Sequence, residues 1–242
     1  MNPSSGANHK IKEALIEFKC ARSVDVESLE RTRANLEDRF GKAKKLREAT
    51  LLFSLDEEGD ANATSTGDLI GYRFDAEDPK EVRIVRRDSV VVSEIDHYTD
   101  WETLTAKIHD LWAAWDGPNA FTVIERIGAR YINVISPGTT MFDADDFLTA
   151  VPKIPENLPQ TFEGFFQQVT IPFADRLIRA NIQQTIQSQN GTEPVIILDI
   201  DVSTAVSTDL KDLTLALKNI RDIKNTVFAN YITAKVSEMV LK

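Results

Sequence analysis

The chain has 242 residues, of which 42% are hydrophobic and 27% charged, ordinary values for a globular protein that buries a core. Its formal charge is -10, with 28 Lys and Arg against 38 Asp and Glu, which disfavours a phosphate-backbone binder because such a protein needs clustered cations. A lone cysteine, Cys20, excludes an internal disulfide, and no apolar run approaches the roughly 20 residues of a membrane span.

Residues 1–10 are polar, lack the apolar stretch of a signal peptide and read as a disordered tail, so a cytoplasmic location is expected by elimination. Alternation then marks a strand over Ala14–Cys20, with Cys20 as a small buried hydrophobe. Val26–Phe40 has the helical spacing Leu29, Leu36, Phe40, and Gly41 supplies a stop. Leu46–Leu55 is a strand, and Asp56–Asp68, rich in acidic and small polar residues, reads as a loop. Strands follow at Leu69–Asp75, Val82–Arg86 and Ser89–Ile95. A turn at Asp78-Pro79-Lys80 and a tight hairpin at Arg87-Asp88 join them.

Thr99 and Glu102 have capping-box spacing before a helix whose stripe is Trp101, Leu104, Ile108, Leu111, Trp112 and Trp115, ended by Gly117-Pro118. All three tryptophans lie here, which predicts a main core element. Phe121–Ile135 is a long strand. Asp143–Ala150 is a short helix or turn, and Pro152, Pro155 and Pro159 mark an irregular connector. Phe162–Phe173, Leu177–Gln187 and Val195–Val202 are strands, the last two joined by Asn190-Gly191. The chain ends in a predicted helix over Asp209–Leu241, capped by Thr208, with Leu213, Leu217, Ile220, Val227, Tyr231 and Val240 toward the core.

This order predicts the α+β class: a duplicated β-α-(antiparallel β meander)-α unit with helices packed on a curved antiparallel sheet. The two halves are 11–120 and 121–242, together forming one compact unit. The element order resembles the TATA-binding-like topology. A DNA saddle would need a basic sheet face with intercalating aromatics, which the acidic balance opposes.

Four segments carry a further resemblance: Asp96–Glu102, Glu125–Asn133, Ile197–Val202 and Phe228–Thr233. Together they resemble a sporadically distributed family of bacterial and archaeal proteins without an assigned activity, over nearly the whole chain from Ile11. The strongest motif is Arg126-Ile127-Gly128-Ala129-Arg130-Tyr131-Ile132-Asn133. The patchy distribution of that family implies accessory genes, such as defence or toxin–antitoxin loci.

In the strand at 121–135, Arg126, Gly128 and Arg130 share one face, and Tyr131 and Asn133 share the other. Two guanidiniums flanking a glycine suit an anion, or else pair with carboxylates on neighbouring strands. Asp199 and Asp201 share one face of another strand, the spacing of some two-metal phosphoryl-transfer sites, but no Gly-Ser helix start precedes them. If the two sets meet, one ion-pair network explains both. Asp143, Asp145 and Asp146 lack the glycine and ligand count of a calcium loop. His9, His97 and His109 lack metal-ligand spacing, and no P-loop, dinucleotide fingerprint or nucleophile elbow occurs.

The candidate binding residues are therefore Arg126, Arg130, Tyr131, Asn133, Asp199 and Asp201, with no catalytic residue, metal or cofactor assigned. The leading expectation is a non-enzymatic component that binds another protein, a second copy of itself included. The alternatives are a binder of a small anionic ligand and a metal-dependent nuclease or phosphotransferase.

Overall fold

The computed structural model describes residues 7–55, 61–76, 80–115, 124–160, 163–187, 193–205 and 210–240. Nine strands carry most of them: β1 (Asn8–Cys20), β2 (Lys44–Leu55), β3 (Ala61–Asp75), β4 (Glu81–Arg86), β5 (Ser89–Ile95), β6 (Ile124–Ser136), β7 (Phe166–Phe173), β8 (Ile178–Gln187) and β9 (Val195–Ala205). The helices are α1 (Val26–Phe40), α2 (Trp101–Ala114), α3 (Leu210–Tyr231) and α4 (Ala234–Val240). The α+β class expected from the sequence is the class observed.

All strands join one antiparallel sheet in the order β2-β3-β4-β5-β1-β6-β9-β8-β7. β1 and β6 are its middle, and each is flanked by the last strand of the meander that follows it in the chain, β5 and β9. Alternation sends Ala14, Ile16, Phe18 and Cys20 of β1, with Ile127, Ala129 and Tyr131 of β6, to one face, where all are buried. The four helices of the described residues all pack on that face, α1 and α2 over β1, β3 and β5, α3 over β6, β8 and β9, and α4 over β1. Burial pushes the Cys20 thiol up to about 11, as suits an inert core residue.

Local chemistry sets the helix ends. The Asp25 carboxylate accepts from the Ser28 amide at 2.7 Å and opens α1, and Gly41, at φ 80°, closes it. For α2 the cap is Asp100, not Thr99: its carboxylate accepts from the Thr103 amide at 2.6 Å. An ionised side chain at the positive end of a helix displaces the neighbouring hydroxyl from that role. Thr99 instead donates its amide to Glu94 at 3.3 Å. Glu94 is 2% exposed and takes Lys107 of α2 at 2.6 Å, which pins that helix to β5. Trp101 and Trp115 are buried as expected, and Trp112 is half-buried.

Three further expectations are corrected. β1 begins at Asn8, inside the segment read as a tail, because β6 is long enough to pair Asn8, His9 and Lys10 with Ser136, Ile135 and Val134. A register shift between Ile11 and Glu13 then lets His9 and Ile11 share the face of Ala14 and Ile16. The loop expected over Asp56–Asp68 is strand from Ala61 onward, paired with β2 from Ala61–Leu55 to Asp68–Glu48. Its Ala-Thr-Ser-Thr run tolerates extended backbone, and the facing β2 supplies the ladder. Leu177 is not the first strand residue; it takes a left-handed turn at φ 53°, and β8 starts at Ile178.

The C-terminal helix is broken. The Thr233 amide leaves the helical ladder for the Phe147 carbonyl at 3.1 Å, and Thr149 donates to the Tyr231 carbonyl at 3.0 Å. An inserted strand-like bridge, Leu148 to Ile232, divides α3 from α4, next to a short 3-10 turn at Ala144–Asp146. Leu213, Leu217, Ile220 and Val227 are buried as read, whereas Val240, beyond the break, is 45% exposed. The turn at Asp78-Pro79, the stop at Gly117-Pro118, the strand connection at Asn190-Gly191, the Thr208 cap, Phe121 and Phe162 fall outside the described residues.

Candidate functional site

The other face of the sheet carries no helix among the described residues. Register places Glu13, Leu15 and Glu17 of β1 beside Ile132, Arg130 and Gly128 of β6 on this open face. Asp201 and Asp199 of β9 lie opposite Arg130 and Ile132, and Ile84 and Arg86 of β4 extend the face beyond Val91 of β5. The side chains enclose a groove of 310 Å³ over the sheet middle, with Leu15, Ile84, Val91 and Ile95 as apolar floor and charged groups along it.

The predicted arginines and aspartates meet here. Arg130 holds Asp199 through two bonds, Nε to Oδ1 at 2.9 Å and Nη2 to Oδ2 at 2.5 Å. Arg126 donates to Glu17 at 2.7 Å and stands 3.4 Å from Asp201. Glu17 also faces Arg86 at 3.7 Å, so one carboxylate bridges β4 and β6. Arg73 of β3 pairs with Asp75 at 2.8 Å, and Glu13 accepts from the Ser93 hydroxyl at 2.6 Å. Burial pushes the Asp201 carboxyl above the usual carboxylate range, with Arg126 and Arg130 opposing it. The bond to Asp199 holds the Arg130 guanidinium firmly protonated.

This chemistry differs from an anion site. Each groove guanidinium already faces a carboxylate, Arg86 the most loosely at 3.7 Å, so most of the positive charge a phosphate would need is committed within the sheet. The paired aspartates do not resemble a metal centre either. Both Asp199 oxygens are engaged by Arg130, and among the described residues no three His, Cys, Asp or Glu side chains converge on a metal-sized centre.

The chain matches no protein-family model, no curated protein and no solved structure. Chemistry on the two sheet faces is therefore what informs function.

Tyr131 and Asn133 project to the helical face, as alternation requires, and do not join the groove. Tyr131 Oη lies 3.3 Å from Tyr98 Oη, and burial pushes its phenol far above the ordinary range. Asn133 donates to the carbonyls of Tyr131 and Leu198 at 3.3 and 3.1 Å. Both residues line a second, smaller pocket of 200 Å³ between β1, β6, α3 and α4.

The sequence reading missed Glu17, Arg86, His9 and Lys224. One signal existed for Lys224: it stands four residues after Ile220 and four before Phe228, on the stripe that α3 turns toward the sheet. A charge on a core stripe marks a special position. No comparable local signal identifies Glu17, whose role depends on which strands flank β1.

Proposed function

We propose that this chain is a non-enzymatic protein-binding module and that the open face of its sheet is the docking surface. The observation carrying this reading is the composition of that face: an apolar floor of Leu15, Ile84, Val91 and Ile95 crossed by ion pairs that neutralise one another. Protein interfaces join apolar area to a few paired charges, whereas phosphate backbones demand a cationic surplus. The carboxylates of Glu13, Glu17 and Asp201, with Asp75 and Asp199 beside them, offset the groove arginines and leave no such surplus.

The strand order supports reading the chain as a duplication of TATA-binding-like form. Outward from the β1–β6 pair it runs β1, β5, β4, β3, β2 on one side and β6, β9, β8, β7 on the other, with α2 and α3 following β5 and β9 in the chain. In this reading a strand equivalent to β2 is missing from the second half among the described residues. The resemblance to the sporadically distributed prokaryotic family extends the proposal to a cytoplasmic accessory or antitoxin-like factor of a defence or toxin system. No helix among the described residues is long and apolar enough to cross a membrane. Fold alone carries no function, so the docking face is what an experiment must address.

A photo-crosslinking amino acid placed at Arg73 or Gln183 on the open face, or at Leu215 on the outer side of α3, tests the reading in native cells. The expected result is one protein adduct, the same from both open-face positions, and absent from Leu215. Capture from Leu215 alone, or from none of the three, overturns it.

A further inference from the structure

Lys224 lies on the sheet-facing stripe of α3 and holds its ammonium 4.0 Å from the centre of the Tyr131 ring. The ring face attracts a cation, but it does not neutralise one. Among the described residues no carboxylate pairs with Lys224, and the charged neighbour that acts on it is Arg221, of like sign. Arg221 itself is bound to Glu102 at 2.6 Å, so that carboxylate is not available to Lys224.

The ammonium borders the 200 Å³ pocket on the helical face. At about 30 Å³ for each water-sized group, the space holds about six or seven of them. Ile11, Ile200 and Phe228 give it apolar walls, and Val240 stands at one side. Opposite them His9 meets Asn133 at 3.1 Å. The Asn133 amide nitrogen is committed to two backbone carbonyls, so its oxygen faces His9 and accepts from Nε2. That assignment leaves His9 Nδ1 as an acceptor, and burial holds the ring toward its neutral form. Among the described residues the pocket therefore offers one cation, no anion and an apolar body.

We propose that this pocket binds a small organic acid, with its carboxylate on the Lys224 ammonium and its apolar part against Ile11 and Phe228. A half-buried ammonium has lost hydration without gaining a counter-charge, and a ligand carboxylate supplies it as a charge-assisted bond. One cation with apolar walls fits a monoanion; a phosphate would need several more donors. Burial pulls the Lys224 ammonium down to about 8, and a bound carboxylate raises it, so binding at pH 8.5 takes up protons. The pocket lies on the opposite face from the docking groove, and neither proposal depends on the other.

Saturation-transfer NMR on the full chain, with acetate, butyrate, hexanoate and benzoate at millimolar concentration, tests this. At least one acid should bind, tenfold or more weaker in Lys224→Met, with benzamide tenfold or more weaker than benzoate on the wild-type chain. Calorimetry in two buffers at pH 8.5 should show proton uptake on binding. The proposal is overturned if none of the four acids binds, or if the acids bind equally well when Lys224 is replaced. Equal binding of benzamide and benzoate to the wild-type chain also overturns it, and that comparison needs no variant to fold.

Discussion

The guanidinium of Arg126 folds back over Gly128, with Nη1 2.8 Å from where a Cβ on residue 128 would stand. The glycine thus leaves room for Arg126 to reach Glu17 on one neighbouring strand and Asp201 on the other.

Gly128→Ala should displace that guanidinium while leaving the backbone in place, because the obstructing atoms are the far end of a flexible side chain. The expected cost is under about 1 kcal/mol, near that of a partly exposed ion pair. Gly71→Ala is the contrasting case. Its Cβ would come within 2.4 Å of the Val85 carbonyl oxygen, a backbone atom of the paired strand, and overpacking of that kind costs about 1–3 kcal/mol. Urea midpoints of the two variants should rank in that order.

Arg130 and Asp199 form an asymmetric pair, since the Arg130 side chain is 43% exposed and that of Asp199 only 9%. Without Asp199, the guanidinium can turn to water. Without Arg130, the carboxylate is left where water reaches it poorly. Arg130→Ala should therefore destabilise by about 1–3 kcal/mol and more than Asp199→Ala does. The double variant should cost less than the sum of the two, a coupling that a double-mutant cycle measures directly. Additive effects would show that the two bonds contribute nothing net.

Lys224 gives a pH dependence of defined sign. Its ammonium is pulled from 10.5 to about 8 by burial, with Arg221 on the same helix adding like charge. The groups facing it are the Tyr131 ring from β6 and His9 from β1. Burial holds the tyrosine protonated and the histidine toward neutral. Below pH 8 both folded and unfolded chains carry the proton, and the burial cost is full. Between pH 8 and 10.5 the folded chain releases it first, so stability rises relative to a chain without the amine. Chemical denaturation should show Lys224→Met more stable than wild type at pH 7, by on the order of 2–3 kcal/mol, and the gap closing toward pH 10.5. Taking the difference between the two chains cancels the tyrosine and cysteine titrations at high pH. A pH-independent gap would place Lys224 in water.

Several features were written locally and could be read locally. The bounds of α1 follow from Leu29, Leu36 and Gly41, and those of β5 from a run of valines between turn residues. Alternation alone put Arg126, Gly128 and Arg130 on one side of β6 and Tyr131 and Asn133 on the other. These succeed because helical period, strand period and capping act over a few residues. The α2 cap failed at the same scale only because Asp100 and Thr99 are adjacent competitors for one cap position.

What the linear chain determined, then, was its α+β class, the helix and strand periods and the side of each strand on which a residue falls. The tertiary structure alone decided which residues meet: Arg126 reaches Glu17 across 109 positions and Arg130 reaches Asp199 across 69. It also decided the break at Thr233, made by a backbone segment more than 80 residues upstream, and the pocket in which Lys224 meets the Tyr131 ring. The physical reason is that a strand's pattern specifies a face but not a neighbour. Neighbours are chosen when the whole sheet closes its hydrogen bonds and buries its apolar side, a free-energy balance that no local window contains.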